Sequence, residues 1–249
     1  MMFYLLIGLI AVISISIILV IYYIIKKREE YFSTNNVVLI LTSTVNVDKN
    51  MGAVTQKRKK DRIQTYEKSV NSWINNSPFK IILVENSGYE FKNLPENSRL
   101  EIITYKPTGN DKKLLDNHRD KGSHELHAIK HAIDNSKIIQ KISDGFIIKI
   151  TGRYYIPNFD KILKDTITKS TEFITQNNRS QCEIFGCKLH HANTLFKFKI
   201  FDFMENHAHS LIDKLGTENT ITKLPPISIE STIPGCGNSC GRPEFITEL

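Results

Sequence analysis

The sequence predicts an α/β domain with a mostly parallel sheet and flanking helices, preceded by one transmembrane helix. Two observations lead to this fold class. Residues 1–25 contain no charged side chain, whereas the rest of the 249-residue chain mixes charged and apolar residues. In that remainder, short β-branched apolar runs alternate with segments whose apolar residues recur at helical spacing, a pattern typical of βα units around a parallel sheet.

The N-terminal run is long enough to span a bilayer. About 20 apolar residues cross the roughly 30 Å of hydrocarbon, so residues 1–25 predict a transmembrane anchor. A cleaved signal peptide is disfavoured, because the apolar run is too long and lacks both a basic start and a small-residue cleavage site. Lys26, Lys27 and Arg28 follow the run directly. Positive flanking residues stay in the cytosol, so we expect a single-pass membrane protein whose C-terminal domain is cytosolic.

After a polar linker at residues 26–36, residues 37–249 are expected to form the α/β domain. Ile63, Tyr66, Val70 and Trp73 share one face of a helix that begins near Asp61. Apolar runs predict buried strands at residues 37–41, 79–84 and 146–150, and a shorter, more alternating strand is expected at 100–105. Further elements are expected as helices near 123–133, 159–170 and 199–215, a strand near 183–189, a polar loop at 107–121 and an irregular tail from 224.

The chain is basic, with a net charge of +7 and a pI of about 9.1. This balance suits nucleic acid, an anionic membrane surface or phosphorylated substrates. The densest cluster, residues 57–60, is equally typical of a solvated loop. We expect a membrane as a partner and no nucleic acid.

Cysteine and histidine spacing gives weak support for a metal site. The four cysteines are Cys182, Cys187, Cys236 and Cys240, and neither pair has the two-residue gap of common zinc motifs. Free thiols are the usual state in the cytosol, although zinc held together with His190 or His191 is an alternative. His127 and His131 are spaced as an i, i+4 pair but lack a nearby third ligand, so no metal site is predicted.

Several common enzyme motifs are missing from the sequence. No G-x-G-x-x-G or P-loop pattern follows the first strand, and no G-x-S-x-G elbow is present. These absences disfavour an NAD-binding protein, a P-loop protein and an α/β-hydrolase.

In open parallel sheets, ligands bind beyond the carboxyl ends of the strands. That rule directs attention to three segments, which are 42–44, 85–87 and 151–153.

These segments belong to a set of short motifs with a familiar order. They are Leu41-Thr42-Ser43-Thr44, Asp61-Arg62 with Tyr66 and Trp73, Ile82-Leu83-Val84-Glu85-Asn86-Ser87, Gly122-Ser123-His124-Glu125 and Ile148-Lys149-Ile150-Thr151-Gly152-Arg153-Tyr154. The set resembles poorly characterised bacterial and large-virus proteins with the GT-A fold of nucleotide-diphospho-sugar transferases. The likeness runs from about residue 37 to 155, and more faintly to 230. It implies a glycosyltransferase that uses a nucleotide-sugar donor.

The chain departs from the GT-A pattern after the fourth strand. The family places an Asp-x-Asp pair there to hold Mg²⁺ or Mn²⁺, and this chain has residues 149–153 instead. A diphosphate leaving group needs its growing charge neutralised, which a metal or fixed cations can do. Arg153 can supply a bidentate fork, and metal dependence is therefore in doubt. The alternative is that Arg153 pairs with a carboxylate such as Asp144 or Glu125.

The candidate site residues follow from this reasoning. The donor-binding candidates are Thr42, Ser43, Thr44, Asp61, Arg62, Glu85, Asn86, Lys149 and Arg153. Glu85 is equally suited to capping a turn. For Asp61 and Arg62, ordinary exposed charge on a helix is the more common explanation. Candidates for the general base that accepts a proton from a sugar hydroxyl are Glu125, Glu205 and Glu230.

Three functions remain open on the sequence. The first is a membrane-anchored glycosyltransferase whose acceptor is a glycan, lipid or protein. The second is a non-catalytic, membrane-tethered binding module on a degenerate transferase fold, which the missing Asp-x-Asp supports. The third is a nucleotidyltransferase, although that chemistry also requires paired carboxylates for metal.

Overall fold

The computed structural model describes most of the chain. It covers residues 13–23, 33–47, 56, 58–118, 121–177, 182–200, 204–229, 234–236 and 243–245. Within these ranges, the side chains of residues 118, 205, 234–236 and 243–245 are not described.

Part of the predicted anchor lies in the described residues. Residues 13–23 are helical, and their large apolar side chains are exposed. The remainder of the predicted span, residues 1–12 and 24–25, lies outside the described ranges. Among the residues that the structure covers, none of the helices combines the length and the apolar character needed to cross a bilayer. The anchor and its boundaries therefore stay predictions.

A seven-stranded sheet forms the centre of the domain, in the order β3-β2-β1-β4-β6-β5-β7. Neighbouring strands are parallel except around β6, which runs antiparallel to both β4 and β5. The strands are β1 (Val37–Ser43), β2 (Lys80–Glu85), β3 (Leu100–Thr104), β4 (Phe146–Thr151), β5 (Phe173–Gln176), β6 (Ile184–Lys188) and β7 (Ile221–Leu224). This mostly parallel sheet confirms the α/β prediction and fits a GT-A or Rossmann-like architecture.

Helices cover both faces of the sheet. They are α1 (Lys59–Asn76), α2 (Gly109–His118), α3 (Lys121–Asn135), α4 (Lys137–Gln140), α5 (Phe159–Thr166), α6 (Ala192–Leu195) and α7 (Met204–Leu215). Helices α1 and α5 pack on one face, and α3, α6 and α7 pack on the other. Strand β1 therefore has two covered faces, and all seven of its residues are buried. Double-sided burial explains why its sequence is a continuous apolar run rather than an alternating one.

The structure corrects the element assignment in several places. The predicted loop at 107–121 is wrong, because α2 occupies Gly109–His118 and buries Leu115. Helix α3 begins at Lys121, two residues before the predicted start near residue 123, and Ser123 is buried inside it. The tail also contains a short hairpin of β8 (Pro234–Cys236) and β9 (Pro243–Phe245).

Candidate functional site

The ends of β2, β1 and β4 form one continuous edge of the sheet. Ser43 is paired in register with Glu85, and Thr42 with Thr151. The amide of Gly152 donates to the carbonyl oxygen of Thr42 at 3.0 Å. A Cβ on Gly152 would lie 2.4 Å from that oxygen, so the close approach of the two strand ends requires glycine. The three segments singled out from the sequence therefore meet at this edge.

A buried ion pair lies at the centre of the edge. Lys149 Nζ and Glu125 Oε1 are 3.1 Å apart, and the side chains are 1% and 17% exposed. The Thr42 hydroxyl donates to the same carboxylate oxygen at 2.5 Å. Glu125 comes from α3 and Lys149 from β4, so the pair connects the helix layer to the sheet.

The ammonium group of Lys149 has further partners inside the protein. It donates to the carbonyl oxygen of Cys182 at 2.8 Å and to the Thr151 hydroxyl at 3.2 Å, besides its pairing with Glu125. An ammonium group has three protons to donate. Contact between Lys149 and a donor diphosphate stays a prediction, and this geometry argues against it because no proton is left over. In the structure, Lys149 holds the Glu125 carboxylate in place.

Acid is expected to weaken the fold through this pair. Burial alone would raise the pKa of Glu125, but the charges of Lys149 and Lys121 and the Thr42 hydroxyl lower it overall. A carboxylate with a depressed folded-state pKa stabilises the protein above its unfolded value of about 4.3, and that stability is lost as the pH falls through the folded pKa. The free energy of unfolding should therefore fall on acidification more steeply in the wild type than in Glu125→Gln. Parallel pH profiles would contradict this prediction.

A second group of charges surrounds the pair. Burial lowers the pKa of Lys121, and the positive charges of Arg153 and Lys149 lower it further, against the opposing effects of Glu125 and Glu183. Lys121 is nevertheless an exposed residue, so solvent reaches this group from one side. Three cations thus face two carboxylates at the end of β4.

Two buried polar atoms in this group have no hydrogen-bond partner among the described residues. They are Nε of Arg153 and Oε2 of Glu183. No carboxylate in the described part of the chain forms an ion pair with Arg153, so the alternative pairing with Asp144 or Glu125 is not observed. Its guanidinium instead lies over the Tyr154 ring, 5.0 Å from the centroid. Buried polar atoms are normally paired, and such exceptions are expected where a ligand or ordered water binds.

Helix α1 holds the segment after β4 in place through hydrogen bonds. The Trp73 indole nitrogen and the Ser69 hydroxyl both donate to the carbonyl oxygen of Tyr154, each at 2.8 Å. Trp73 is fully buried and contacts Phe79 edge-on. The helical stripe predicted from the sequence therefore fixes the backbone that presents Arg153.

Glu85 caps turns instead of facing the open edge. It is 0% exposed, and its carboxylate accepts hydrogen bonds from the amides of Val45, Ser87 and Tyr89. The Ser87 hydroxyl donates to it as well. Of the two roles considered for Glu85, the structure favours turn capping, because these donors occupy both carboxylate oxygens.

The other donor-binding candidates at β1 and β2 divide between the interior and the edge. Ser43 is buried and donates to the carbonyl oxygen of Val84 at 3.0 Å. The Thr44 hydroxyl donates to Asn86 Oδ1 at 2.6 Å, and both residues are partly exposed. Asn86 also donates to the carbonyl oxygen of His124 at 3.4 Å, which connects the edge to α3.

Asp61 and Arg62 have different surroundings despite being adjacent in sequence. Asp61 forms an ion pair with the exposed Arg58 at 2.7 Å. Arg62 is 8% exposed and donates to the carbonyl oxygen of Thr44 at 2.6 Å and to the Tyr66 hydroxyl at 3.0 Å. Arg62 therefore supports the segment that follows β1, and its donor contact stays a prediction.

The histidine pair on α3 packs against Tyr105. The Tyr105 hydroxyl and His127 Nδ1 are 2.8 Å apart, and His127 Nε2 lies 3.2 Å from Asp111 Oδ2. The His131 ring stacks on Tyr105 at 3.8 Å between centroids. Burial, followed by the negative charges of Glu85 and Asp111, raises the pKa of Tyr105. Protein groups therefore engage both ring nitrogens of His127.

Lys121 and Glu183 are site residues that the sequence reasoning missed. Lys121 lies four residues before Glu125 on the same helix, so the i, i+4 rule offered a signal for it. Glu183 had no local signal, because it reaches the site only through the antiparallel course of β6 beside β4. The remaining base candidates cannot be placed, since Glu230 and the Glu205 side chain lie outside the described part of the structure.

Comparisons with known proteins yield only distant similarities of structure. No protein-family model matches the chain, and no curated protein matches it either. One similar structure is a protein from Desulfovibrio desulfuricans G20 described as a nucleotide-diphospho-sugar transferase. It has 11% identity and a TM-score of 0.43, and the match covers 77% of this chain and 80% of that one. A cytidylyltransferase from Leptospira borgpetersenii has 11% identity and a TM-score of 0.40, with 75% of each chain covered. At this identity the similarity concerns the fold alone.

Proposed function

We propose that this protein is a membrane-anchored glycosyltransferase that moves a sugar from a nucleotide-sugar donor to a glycan, lipid or protein acceptor. The donor diphosphate lies at the end of β4, against Arg153 and Lys121. The GT-A resemblance of the motifs provides the substrate class. The positive charges at the strand ends suggest where the donor diphosphate binds and which side chains contact it.

The observation that carries this proposal is an incompletely paired cationic group at the edge of a parallel sheet. Lys121 and Arg153 lie close enough for the charge of Arg153 to lower the pKa of Lys121. Neither residue forms an ion pair with a described carboxylate, and Nε of Arg153 is buried without a partner. Glu125 and Glu183 offset only two of the three positive charges in this group, so a bound anion would offset the rest. A diphosphate offers that charge, together with oxygens that suit the guanidinium fork.

This arrangement also suits the chemistry of sugar transfer. As the bond between the sugar and the diphosphate breaks, negative charge grows on the leaving group. Fixed cations aimed at that position stabilise the charge without reorganising. Arg153 and Lys121 take this part in our proposal, so the reaction does not depend on the metal that an Asp-x-Asp pair holds in related sequences.

Glu125 is the base candidate whose position is known. The contacts that Thr42 and Lys149 make with it both fall on Oε1. In our proposal, Oε2 accepts the proton or hydrogen bond of a sugar hydroxyl. The low pKa of Glu125 keeps it ionised at neutral pH, at the cost of making it a weaker base.

Replacing Arg153 with alanine tests the proposed donor site. We expect a loss of about ten- to a hundred-fold in nucleotide-sugar affinity, the usual size of a charge-assisted contact of about 1.5–3 kcal/mol. Arg153→Lys should recover only part of it, because the planar fork is lost. Affinity would be measured on the full-length protein with a panel of UDP-, GDP-, CMP- and dTDP-sugars, with and without Mn²⁺.

The control for this test is Lys164→Ala, which removes one positive charge from an exposed position on α5. Its nucleotide-sugar affinity should match the wild type. Thermal unfolding of each variant separates lost contact from lost folding. Wild-type nucleotide-sugar affinity in a folded Arg153→Ala protein would show that the diphosphate does not bind at this position.

The alternative function is a binding module without catalysis. The observation in its favour is that Lys149 and Thr42 hold one oxygen of Glu125, the only base candidate with a described side chain. Release of free nucleotide from a bound nucleotide sugar separates the two functions. Tight donor binding without any release in the presence of diverse acceptors would support the module.

A further inference from the structure

A second cluster of polar side chains lies at the opposite end of the sheet. It consists of Glu172, which directly precedes β5, and of His190 and His191, which follow β6. Phe146, the first residue of β4, is paired in register with Lys188, the last residue of β6. The cluster is therefore next to the amino end of β4, whereas the candidate donor site is at its carboxyl end.

Three potential ligand atoms converge in this cluster. Oε2 of Glu172 lies 3.1 Å from Nε2 of His190 and 3.3 Å from Nε2 of His191. All three atoms are within 4.8 Å of one another. Bonds of about 2.0–2.1 Å from zinc to nitrogen or oxygen, at tetrahedral angles, separate neighbouring ligand atoms by about 3.3 Å. The observed separations thus match two edges of a zinc coordination tetrahedron.

The carboxylate oxygen between the two histidines is unsatisfied. Oε2 of Glu172 is buried and has no hydrogen-bond partner in the described part of the chain, although two imidazole nitrogens are near. A buried carboxylate oxygen without a donor is costly, whereas a cation between the three atoms would satisfy it.

Neighbouring groups hold the three side chains in place. Lys188 Nζ binds the other carboxylate oxygen of Glu172 at 2.7 Å, which leaves Oε2 to face the histidines. The Phe173 ring stacks on His191 at 4.7 Å between centroids. The backbone of Glu172 is itself fixed, because its carbonyl oxygen accepts from the amide of Lys188 at 2.9 Å. Such supporting contacts orient ligands in known metal sites.

We propose that Glu172, His190 and His191 bind one divalent transition-metal ion, with Zn²⁺ as the best fit to this ligand set. Two imidazoles and one carboxylate leave the fourth position open to water. The ion links the residue before β5 to the turn after β6. It therefore joins the two chain segments at the open end of the antiparallel β5–β6 pair. This site is separate from the proposed donor site, and neither proposal depends on the other.

The test is metal binding by the full-length protein after chelation. Zn²⁺ should bind with one ion per chain in competition with a chromophoric chelator. His190→Ala and His191→Ala should each weaken binding by more than about a hundred-fold, a larger loss than supporting residues give. His131→Ala, which removes an imidazole outside the cluster, should bind as the wild type does. Glu172→Gln keeps the side-chain shape and should also lose affinity.

Co²⁺ provides a readout that identifies the ligands. The bound ion should show the visible bands of a four-coordinate nitrogen and oxygen site, without the near-ultraviolet charge transfer that thiolates produce. Thermal unfolding in chelator should be similar for the wild type and His190→Ala, because that side chain is 61% exposed. Zn²⁺ affinity unchanged by both histidine substitutions, thiolate charge transfer or no saturable binding would each overturn the proposal.

Discussion

Replacing Lys149 with methionine is expected to destabilise the fold by about 3–5 kcal/mol, because it leaves the buried carboxylate of Glu125 without its cation. Lys149 is 1% exposed, and it also satisfies the carbonyl oxygen of Cys182. Methionine fills much of the same volume, so lost packing contributes little. Urea unfolding followed by circular dichroism measures the loss.

A double variant separates the unpaired charge from other causes. Lys149→Met combined with Glu125→Gln removes both charges, and roughly half or more of the lost stability should return. The single variant should also recover as the pH falls, because burial then raises the folded-state pKa of Glu125 above its unfolded value and the neutral form is favoured. A loss below about 1 kcal/mol in Lys149→Met would mean that the pair contributes no more than an exposed one.

Replacing Trp73 with alanine should cost about 3–5 kcal/mol of folding stability, the usual range for a fully buried Trp. The ring is 0% exposed and packs edge-on against Phe79, Tyr155 and Phe159. The same change removes the indole donor to the carbonyl oxygen of Tyr154. Because that residue follows Arg153, nucleotide-sugar affinity should fall as well, even at temperatures where the variant remains folded.

Two further variants make this result specific. Trp73→Phe retains most of the packing but not the donor, so it should lose less stability than alanine does. Gln64→Ala changes an exposed position on the same helix and should leave both stability and affinity close to the wild type. Wild-type affinity in folded Trp73→Phe and Trp73→Ala proteins would show that the segment after β4 does not need this anchor.

The sequence was most informative where burial imposes a simple pattern. Strands β1, β2 and β4 are covered on both faces, and their β-branched apolar runs identified them. The apolar stripe on α1 likewise identified the helix that packs beneath the site. Helix α2 was missed because it lacks a strong apolar stripe. Among its residues with described side chains, only Leu115 is buried.

The sequence alone indicated that Thr42, Glu85 and Arg153 lie at the carboxyl ends of strands in a mostly parallel sheet, since the apolar runs and the carboxyl-end rule need only local patterns. Their roles were decided by tertiary structure. Glu85 turned inward because backbone amides of two loops surround its carboxylate.

Lys149 paired with Glu125, and Glu172 met His190, through contacts between residues 24 or fewer positions apart in sequence but on different elements. Hydrophobic periodicity indicates which face of a helix or strand is buried. It does not indicate which polar side chain of a neighbouring element that face will contact. That information arises only when packing fixes the distances between elements, and short-range charge and hydrogen-bond energies depend on those distances.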